Sequence, residues 1–329
     1  MPGTLIYLSN CAISADGRQN PFMMQELPWL MAHFDRVMMV SYYGVRTLMP
    51  GDERGERPFT AVRPGLAGLR ALLKTPFTAD VWRELKHMRR DGVLTPGNAL
   101  RLLAFTQRGL KMHYWTERLL RGVVEAHTTL YSCWMSFDGY AAALSKRKHP
   151  RVRCVIRGHA YDVDTERFAK NPYMMKRRIA AEADGLYLIS RTARAQFMSY
   201  MRGHVDERKV HVLAMGSSGM PVDRLREPPL YTQGVLRVVS CAMFNPIKQV
   251  DVLVRALSRW EGGPLCWTHI GAGAEEAKVR ALASELLDPK ENVICELLGE
   301  LDGAHVQRLY DTRPFDVFIN TSKKEGVPV

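Results

Sequence analysis

The chain has 329 residues, of which 46% are hydrophobic, and carries a formal net charge of +12. This length exceeds what one ordinary hydrophobic core needs, so it favours two α/β domains. No apolar run approaches the ~18 residues that cross a bilayer, and the start of the chain lacks the pattern of a secretion signal. Six scattered cysteines without C-x-x-C spacing are typical of reduced thiols, so we expect a cytoplasmic protein.

The positive charge is concentrated in the first part of the chain. Residues 1–215 contain 33 Lys and Arg against 19 Asp and Glu, a net charge of +14, whereas the remainder has a net charge of −2. Such asymmetry suggests that only the first part meets an anionic partner, such as an anionic membrane surface, a lipid diphosphate or nucleic acid. A solvated basic surface without any partner would explain the same charge.

The first part of the chain alternates short apolar strands with helices. A strand at Thr4–Ser9, a polar loop, an apolar-periodic helix at Pro21–Phe34 and a strand at Arg36–Ser41 predict a βαβ unit. Further strands are predicted at Thr128–Cys133, Arg151–Ile156, Ala183–Ser190 and Lys209–Leu213. Further helices are predicted at Leu66–Leu73, Ala79–Arg90, Asn98–Val124, Asp138–Leu144 and Arg191–Met201.

Residues 216–234 hold several glycines and prolines without an apolar period, so we interpret them as a linker between domains of residues 1–215 and 235–329. A second alternating series follows. Its predicted strands and helices are Leu236–Cys241, Val250–Trp260, Leu265–Ile270, Glu275–Leu287, Asn292–Leu297, Ala304–Tyr310 and Phe315–Asn320. Strict alternation of this kind predicts parallel sheets that are covered on both faces, hence two Rossmann-like domains.

Ligands of open α/β sheets bind beyond the carboxyl ends of the strands. After the strand Leu236–Cys241, Lys248 stands at the entry to a helix, where backbone N–H groups favour anions. After the strand Leu265–Ile270, Gly271 and Gly273 allow a ligand to approach the backbone closely. A solvated lysine and a simple tight turn are the alternative interpretations of these two signals.

A third set of polar residues follows the strand Phe315–Asn320. The stretch TSKKEGVPV offers Ser322, Glu325 and Gly326 at another strand-to-helix turn. Glu325 alone would be an ordinary surface carboxylate. Because all three sets fall on the same edge of one sheet, we expect them to form one site.

The order of these motifs resembles the donor domain of family 4 glycosyltransferases, which are retaining enzymes of GT-B fold. The resemblance rests on VVSCAMFNPIKQVDVLVRAL, THIGAGAEEAKVRALASEL, NVICELLGEL and LYDTRPFDVFINTSKKEGVPV, and covers most of residues 236–329. The first half is more loosely similar to the polysaccharide and capsule branch of the family, through NPFMMQELPWLMAHFDRVMMV, VIRGHAYDVD, ADGLYLISRTARAQF and KVHVLAMG.

The resemblance implies a role for individual residues. Lys248 would bind the donor diphosphate, Glu325 would contact the donor sugar as the first glutamate of the Glu-x7-Glu motif, and the backbone of Gly326 would lie beside them. His159, in RGHAYD, would lie near the sugar ring and phosphate, and the loop of residues 9–17 would approach the donor from the first domain. In the family the leaving phosphate is thought to deprotonate the acceptor hydroxyl, so we expect neither a metal nor a cofactor.

Two departures from the family pattern affect this assignment. Met243 occupies the position where the family usually has an arginine, five residues before Lys248. The second glutamate of the motif would fall at position 333, eight residues after Glu325 and beyond Val329. We therefore expect an incomplete second domain that binds donor weakly and exposes either Val317 with Ile319 or Phe315 with Phe318, making the chain poorly soluble.

The resulting hypothesis is a retaining hexosyltransferase that moves a sugar from a nucleotide-sugar donor to a saccharide or lipid-linked acceptor, on the inner face of the cell membrane. Two alternatives stay open, namely a GT-B-like nucleotide-sugar epimerase and an inactive remnant of a transferase. A Rossmann dehydrogenase is disfavoured because Glu276 follows Gly271-Ala-Gly273 where a third small residue belongs. A nucleic-acid binder is disfavoured because no recognition motif is present.

Overall fold

A computed structural model describes residues 3–10, 21–42, 44–48, 65–163, 174–216, 234–323 and 325 of the chain. These residues form two compact units, one on each side of residues 217–233. The linker that the sequence predicts at residues 216–234 therefore lies almost wholly outside the described residues. Each unit is a layered α/β structure built around its own sheet.

The first unit contains a seven-stranded sheet in the order β3-β2-β1-β4-β5-β6-β7. Its strands are β1 (Thr4–Ser9), β2 (Arg36–Ser41), β3 (Gly44–Leu48), β4 (Thr128–Ser132), β5 (Arg153–Gly158), β6 (Gly185–Leu188) and β7 (Val210–Val212). All neighbours are parallel except β2 and β3, which form a hairpin at the edge. Sequence analysis did not predict β3.

Helices cover both faces of this sheet. They are α1 (Pro21–His33), α2 (Gly65–Lys74), α3 (Ala79–Arg90), α4 (Pro96–Leu120), α5 (Phe137–Lys148), α6 (Ala160–Val163), α7 (Lys176–Glu182) and α8 (Arg191–Met201). Alternate strand residues point to opposite faces, so Ile6 and Leu8 join a core with α4 and α5, while Leu5 and Tyr7 pack on Leu27 of α1. This separation explains why β1 is continuously apolar.

The second unit contains a four-stranded parallel sheet in the order β10-β9-β8-β11. Its elements in chain order are β8 (Leu236–Cys241), α9 (Val250–Leu257), β9 (Leu265–Ile270), α10 (Glu276–Leu287), β10 (Val293–Leu297), α11 (Gly303–Thr312) and β11 (Val317–Phe318). The core lies between the sheet and helices α9 and α10, around the fully buried side chain of Trp267.

The last strand is shorter than its apolar sequence predicts. Only Val317 and Phe318 pair with β8, although residues 315–320 read as a strand. The side chain of Val317 is 41% exposed and that of Phe318 is 54% exposed. Adjacent strand residues point to opposite faces, so the exposed pair differs from both of the pairs expected from the sequence.

Within the described ranges, no helix is both long and apolar enough to cross a membrane.

Candidate active site

The strand order of the second sheet marks one position as the place for a ligand. From β8 the chain proceeds outward to β9 and β10 on one side, and then returns to place β11 on the other side of β8. A reversal of this kind opens a crevice between the loops that follow the two strands, because their connections leave in opposite directions. The crevice of this sheet lies beyond the carboxyl ends of β8 and β11.

Lys248 and Glu325 meet at this position. Their Nζ and Oε1 atoms are 2.5 Å apart, although 77 residues separate them in the chain. Both side chains are about three-quarters buried, with 28% of Lys248 and 24% of Glu325 exposed. Burial raises the pKa of Glu325, but the hydrogen bonds from Lys248 and Ser322 outweigh that effect and leave its pKa below the ordinary value. Glu325 is therefore ionised at neutral pH.

Hydrogen bonds to backbone carbonyl groups hold the two loops against each other. The hydroxyl of Thr321 donates to the carbonyl groups of Lys248 and Gln249, at 3.1 and 2.9 Å. The amide of Lys323 donates to the carbonyl of Ile247 at 2.8 Å. These contacts position the start of α9 relative to the end of β11, so the geometry of the Lys248–Glu325 pair does not depend on the pair alone.

The side chains of two asparagines accept hydrogen bonds within the turns that follow β8 and β11. The side-chain oxygen of Asn245 accepts hydrogen bonds from the amides of Ile247 and Lys248, both at 3.0 Å, which forms an Asx turn before α9. The side-chain oxygen of Asn320 accepts from the amide and the hydroxyl of Ser322, at 2.9 and 2.6 Å. Sequence reasoning named Ser322 but missed both asparagines, although Asn in a strand-to-helix turn is a recognisable signal.

Gly271 and Gly273 are required by the loop that follows β8. A Cβ atom on Gly271 would lie 2.0 Å from the carbonyl oxygen of Ala242, and one on Gly273 would lie 2.5 Å from that of Phe244. The amide of Phe244 in turn donates to the carbonyl of Ala272 at 3.1 Å. Their lack of side chains therefore has a packing reason, and their contact with a donor stays a prediction.

A buried histidine that sequence analysis did not single out supports the same loop. His269 donates from Nε2 to the carbonyl of Ala242 at 3.1 Å, so its Nδ1 accepts the Ser240 hydroxyl at 2.7 Å. The Ser240 oxygen accepts the indole N–H of Trp267 at 2.8 Å. Desolvation lowers the pKa of His269 to about 4, so the ring is neutral at neutral pH.

His159 lies in the first unit, directly after β5, and only 4% of it is exposed. Its Nε2 donates to the carbonyl of Cys133 at 3.0 Å, and its ring centroid is 4.2 Å from that of Trp134. Its backbone amide donates to Asp162 at 2.9 Å. Desolvation lowers the pKa of His159, although the nearby carboxylate of Asp162 raises it. The ring is thus a buried, neutral donor to the end of β4.

Around His159 lies a group of buried ionisable side chains. Asp162 also accepts the amide of Met135 at 3.2 Å, and Lys176 donates to the carbonyl of Met135 while its Nζ is 3.9 Å from Asp162. Burial raises the pKa of Asp138 to about 8 and lowers that of Lys176. These contacts fix the loop after β4, which borders the strand-order reversal of the first sheet between β1 and β4.

Gly326 and residues 11–17 of the predicted donor loop lie outside the described residues. The side chain of Met243, at the position of the expected arginine, is 62% exposed. Within the described part of the chain, no three His, Cys, Asp or Glu side chains are arranged to hold a metal ion.

Comparison with known proteins identifies the fold. No family model and no curated protein sequence matches the chain. Among solved structures, the lipopolysaccharide outer core galactosyltransferase WaaB matches 99% of this chain and 76% of its own, with a TM-score of 0.60 and 15% identity.

Two further solved structures match almost the whole chain. HepE from Anabaena in complex with UDP-glucose matches 98% of this chain and 75% of its own, with a TM-score of 0.56 and 11% identity. Trehalose 6-phosphate synthase from Burkholderia multivorans matches 100% and 78%, with a TM-score of 0.60 and 12% identity. The chain therefore has the GT-B fold of glycosyltransferases, with two Rossmann-like units.

Proposed function

We propose that the chain is a glycosyltransferase that moves a hexose from a nucleotide-sugar donor to a saccharide or lipid-linked acceptor, with retention of configuration, in polysaccharide assembly. The observation that supports this most strongly is the Lys248–Glu325 pair at the β8/β11 reversal. The structural neighbours support it more broadly, because they include a galactosyltransferase and a protein bound to UDP-glucose.

The chemistry of glycosyl transfer suits this pair. Cleaving the bond between sugar and phosphate develops negative charge on the leaving nucleotide and positive charge on the sugar. A fixed ammonium group and backbone N–H dipoles stabilise the first charge, which is how preorganised electrostatics lowers a barrier. We assign Lys248 to the phosphates. We assign Glu325 to the sugar hydroxyls, with Ser322, Gly326 and the turn of Gly271 and Gly273 around the donor.

The ion pair also positions Lys248 to bind a phosphate. The Glu325 carboxylate holds the ammonium group at the crevice and compensates its charge while no donor is bound. A donor diphosphate offers Lys248 a stronger anionic partner and leaves Glu325 free to accept hydrogen bonds from the sugar. We place His159 in the same reaction as a neutral donor near the sugar. We propose that no metal or cofactor takes part, so a chelator should leave donor turnover unchanged.

The test is calorimetric titration of Lys248→Met with a panel of UDP-, GDP- and ADP-hexoses. Loss of a charge-assisted contact worth about 1.5–3 kcal/mol should weaken donor binding by roughly 10- to 150-fold. The matched control is Lys290→Met, because Lys290 follows α10 at the opposite edge of the same sheet. Equal donor affinity in Lys248→Met and Lys290→Met would refute the assignment.

Product analysis on the same panel separates the alternatives. A transferase converts donor only when an acceptor or water takes the sugar, and it releases nucleotide. An epimerase changes the sugar and keeps it attached to the nucleotide, without an acceptor. An inactive remnant binds donor and yields neither product.

A further inference from the structure

Helix α2 has its large apolar side chains on the side facing solvent. Ala71 is fully buried against the core, whereas 84% of Leu66, 56% of Leu69 and 64% of Leu73 is exposed. Leu72, 60% exposed, flanks the same face. An amphipathic helix that only stabilises a fold buries its leucines and exposes its polar side. The orientation of α2 is the reverse of that pattern, so its leucines are available to a partner.

Two aromatic residues extend this apolar face. Phe77, in the short 3-10 helix Thr75–Phe77 after α2, is 80% exposed, and Trp82 of α3 is 64% exposed. The indole N–H of Trp82 donates to the carbonyl of Pro76, the residue before Phe77, at 2.9 Å. Large apolar side chains exposed close together in this manner mark an interaction site. We call Leu66, Leu69, Leu72, Leu73, Phe77 and Trp82 the apolar ridge.

A basic groove of about 960 Å³ runs beside the ridge, between α2, α4 and α5. It is lined by six cationic side chains, Arg70, Lys74, Arg118, Arg121, Arg147 and Lys148. Among the lining residues that the structure describes, the one carboxylate is that of Glu117, which is buried and contacts Lys148 and His149. Desolvation lowers the pKa of the lining His113 to about 4, so it adds no charge at neutral pH.

The position of the groove separates it from the candidate active site. Helices α4 and α5 end where the strands of the first sheet begin, so the groove lies at the amino edge of that sheet, opposite His159. Helix dipoles account for cations at the ends of α4 and α5. They account neither for the outward leucines nor for Arg70, whose guanidinium lies over the ring of Tyr114 at 4.5 Å from its centroid.

We propose that the apolar ridge and the basic groove together form a contact surface for a membrane rich in anionic phospholipid. The leucines and Phe77 enter the boundary between headgroups and acyl chains, and the cations of the groove contact the headgroup phosphates. Helices with leucine and aromatic residues beside Lys and Arg bind membrane surfaces in this manner. Nucleic acid fits less well, because a phosphate backbone offers no apolar partner to the ridge. The proposal concerns a surface separate from the donor site and does not depend on transferase activity.

The experiment is flotation of the full chain with vesicles, either of phosphatidylcholine alone or of equal parts phosphatidylcholine and phosphatidylglycerol. The chain should float only with the anionic vesicles. Each cation near an anionic surface contributes roughly a factor of five, so Arg70→Gln/Arg118→Gln/Arg121→Gln should lower the partition coefficient on the order of 100-fold. The matched control, Arg202→Gln/Arg255→Gln/Arg259→Gln, removes the same charge from other parts of the chain. It should bind the anionic vesicles nearly as strongly as the wild type does.

A second variant tests the ridge without changing charge. Leu66→Ser/Leu69→Ser/Leu73→Ser should also lose vesicle binding, and it should remain folded because these side chains are exposed. Equal flotation of the wild type and either groove or ridge variant would overturn the proposal. Release of bound chain by inorganic phosphate at matched ionic strength, or binding to single-stranded RNA that the ridge variant retains, would assign the groove to those ligands instead.

Discussion

The contact between Lys248 and Glu325 depends on the fold. Each is an ordinary charged residue in a strand-to-helix turn, and the sequence separates them by 77 positions. Parallel pairing of β11 with β8 brings both turns to one edge. There each side chain has a charged partner and is partly buried, beside the start of α9. These are the features on which the proposed binding of a donor diphosphate rests.

Glu325→Gln tests the sugar contact separately from the phosphate contact. If Glu325 accepts hydrogen bonds from sugar hydroxyls, a neutral amide in its place should weaken binding of the nucleotide sugar by about 1–2 kcal/mol. Binding of the free nucleotide should not weaken in this way, because that ligand lacks the transferred hexose and the loss of the carboxylate leaves Lys248 free for the phosphates. Parallel calorimetric titrations with both ligands measure the difference. An equal loss of affinity for both ligands would indicate that Glu325 acts at the phosphates instead.

His269 predicts how the stability of the second unit depends on pH. Its pKa in the folded protein is about 4, below the ordinary value of 6.5. Between these values the unfolded chain binds a proton that the folded chain does not. The contribution of the neutral ring is therefore complete above pH 6.5 and is lost as the pH falls toward 4, by about 3 kcal/mol in total.

Urea denaturation at about pH 7.5 and about pH 5 measures this dependence. His269→Gln should be less stable at both values, because the links to Ser240 and Ala242 are altered, but its stability should fall less between them. His113, whose pKa is also lowered to about 4, contributes in the same range and is common to both proteins. An identical fall in the wild type and the variant would show that His269 does not titrate in this range.

At the scale of elements, helix packing in the first unit depends on a glycine. Gly109 of α4 faces α5, and a Cβ atom there would lie 2.6 Å from Cδ1 of Tyr140 and 3.1 Å from the carbonyl oxygen of Phe137. The Tyr140 ring is fully buried and its hydroxyl donates to Asp80 at 3.1 Å, so the ring cannot move aside easily. Gly109 sets the close approach of the two helices.

Gly109→Ala should therefore destabilise the protein despite the higher helix propensity of alanine. Overpacking costs about 1–3 kcal/mol, against a propensity gain of up to about 1 kcal/mol. Gly68→Ala is the matched control, because a Cβ at Gly68 of α2 meets nothing within 4 Å. That variant should gain about 0.4–1 kcal/mol. Thermal melting of both variants checks the pair of predictions, and a stabilised Gly109→Ala would show that α4 and α5 can separate.

Sequence patterns predicted most elements but not the edge hairpin. Strand β3 pairs with β2 through a two-residue connection, since Ser41 lies opposite Gly44. The sequence between them, Tyr42-Tyr43, lacks the asparagine or glycine that predicts a hairpin. The sequence therefore lacked the signal that predicts a hairpin turn. Helix α7 was missed for a different reason, because it has only seven residues.

At the scale of the whole molecule, donor binding should affect the two units differently. A ligand stabilises the state that binds it, by about 2.7 kcal/mol at a concentration 100 times its Kd. Nucleotide should therefore slow amide hydrogen exchange in the second unit, at the turns after β8 and β11. The amides of α2 and α4, which border the basic groove, should exchange unchanged. Protection confined to α2 and α4 would instead indicate that the nucleotide binds in the basic groove.

The sequence by itself determined the alternation of strands and helices, the division of charge and the three polar turns of the second unit. Apolar periodicity and glycine positions are local signals, so they can be read without knowing which strands are neighbours. The resemblance to family 4 glycosyltransferases then implied the GT-B fold, which the solved structures support at 11–15% identity.

Only the tertiary structure decided which residues meet and which faces remain open. Strand order brought Lys248 to Glu325, and packing assigned Gly271 and Gly273 to the loop after β8. The sequence could not predict the orientation of α2 either. It predicts an amphipathic helix, and the leucines of such a helix normally face the core. Side-chain partners depend on contacts between distant parts of the chain, and hydrophobic periodicity contains no information about those distances.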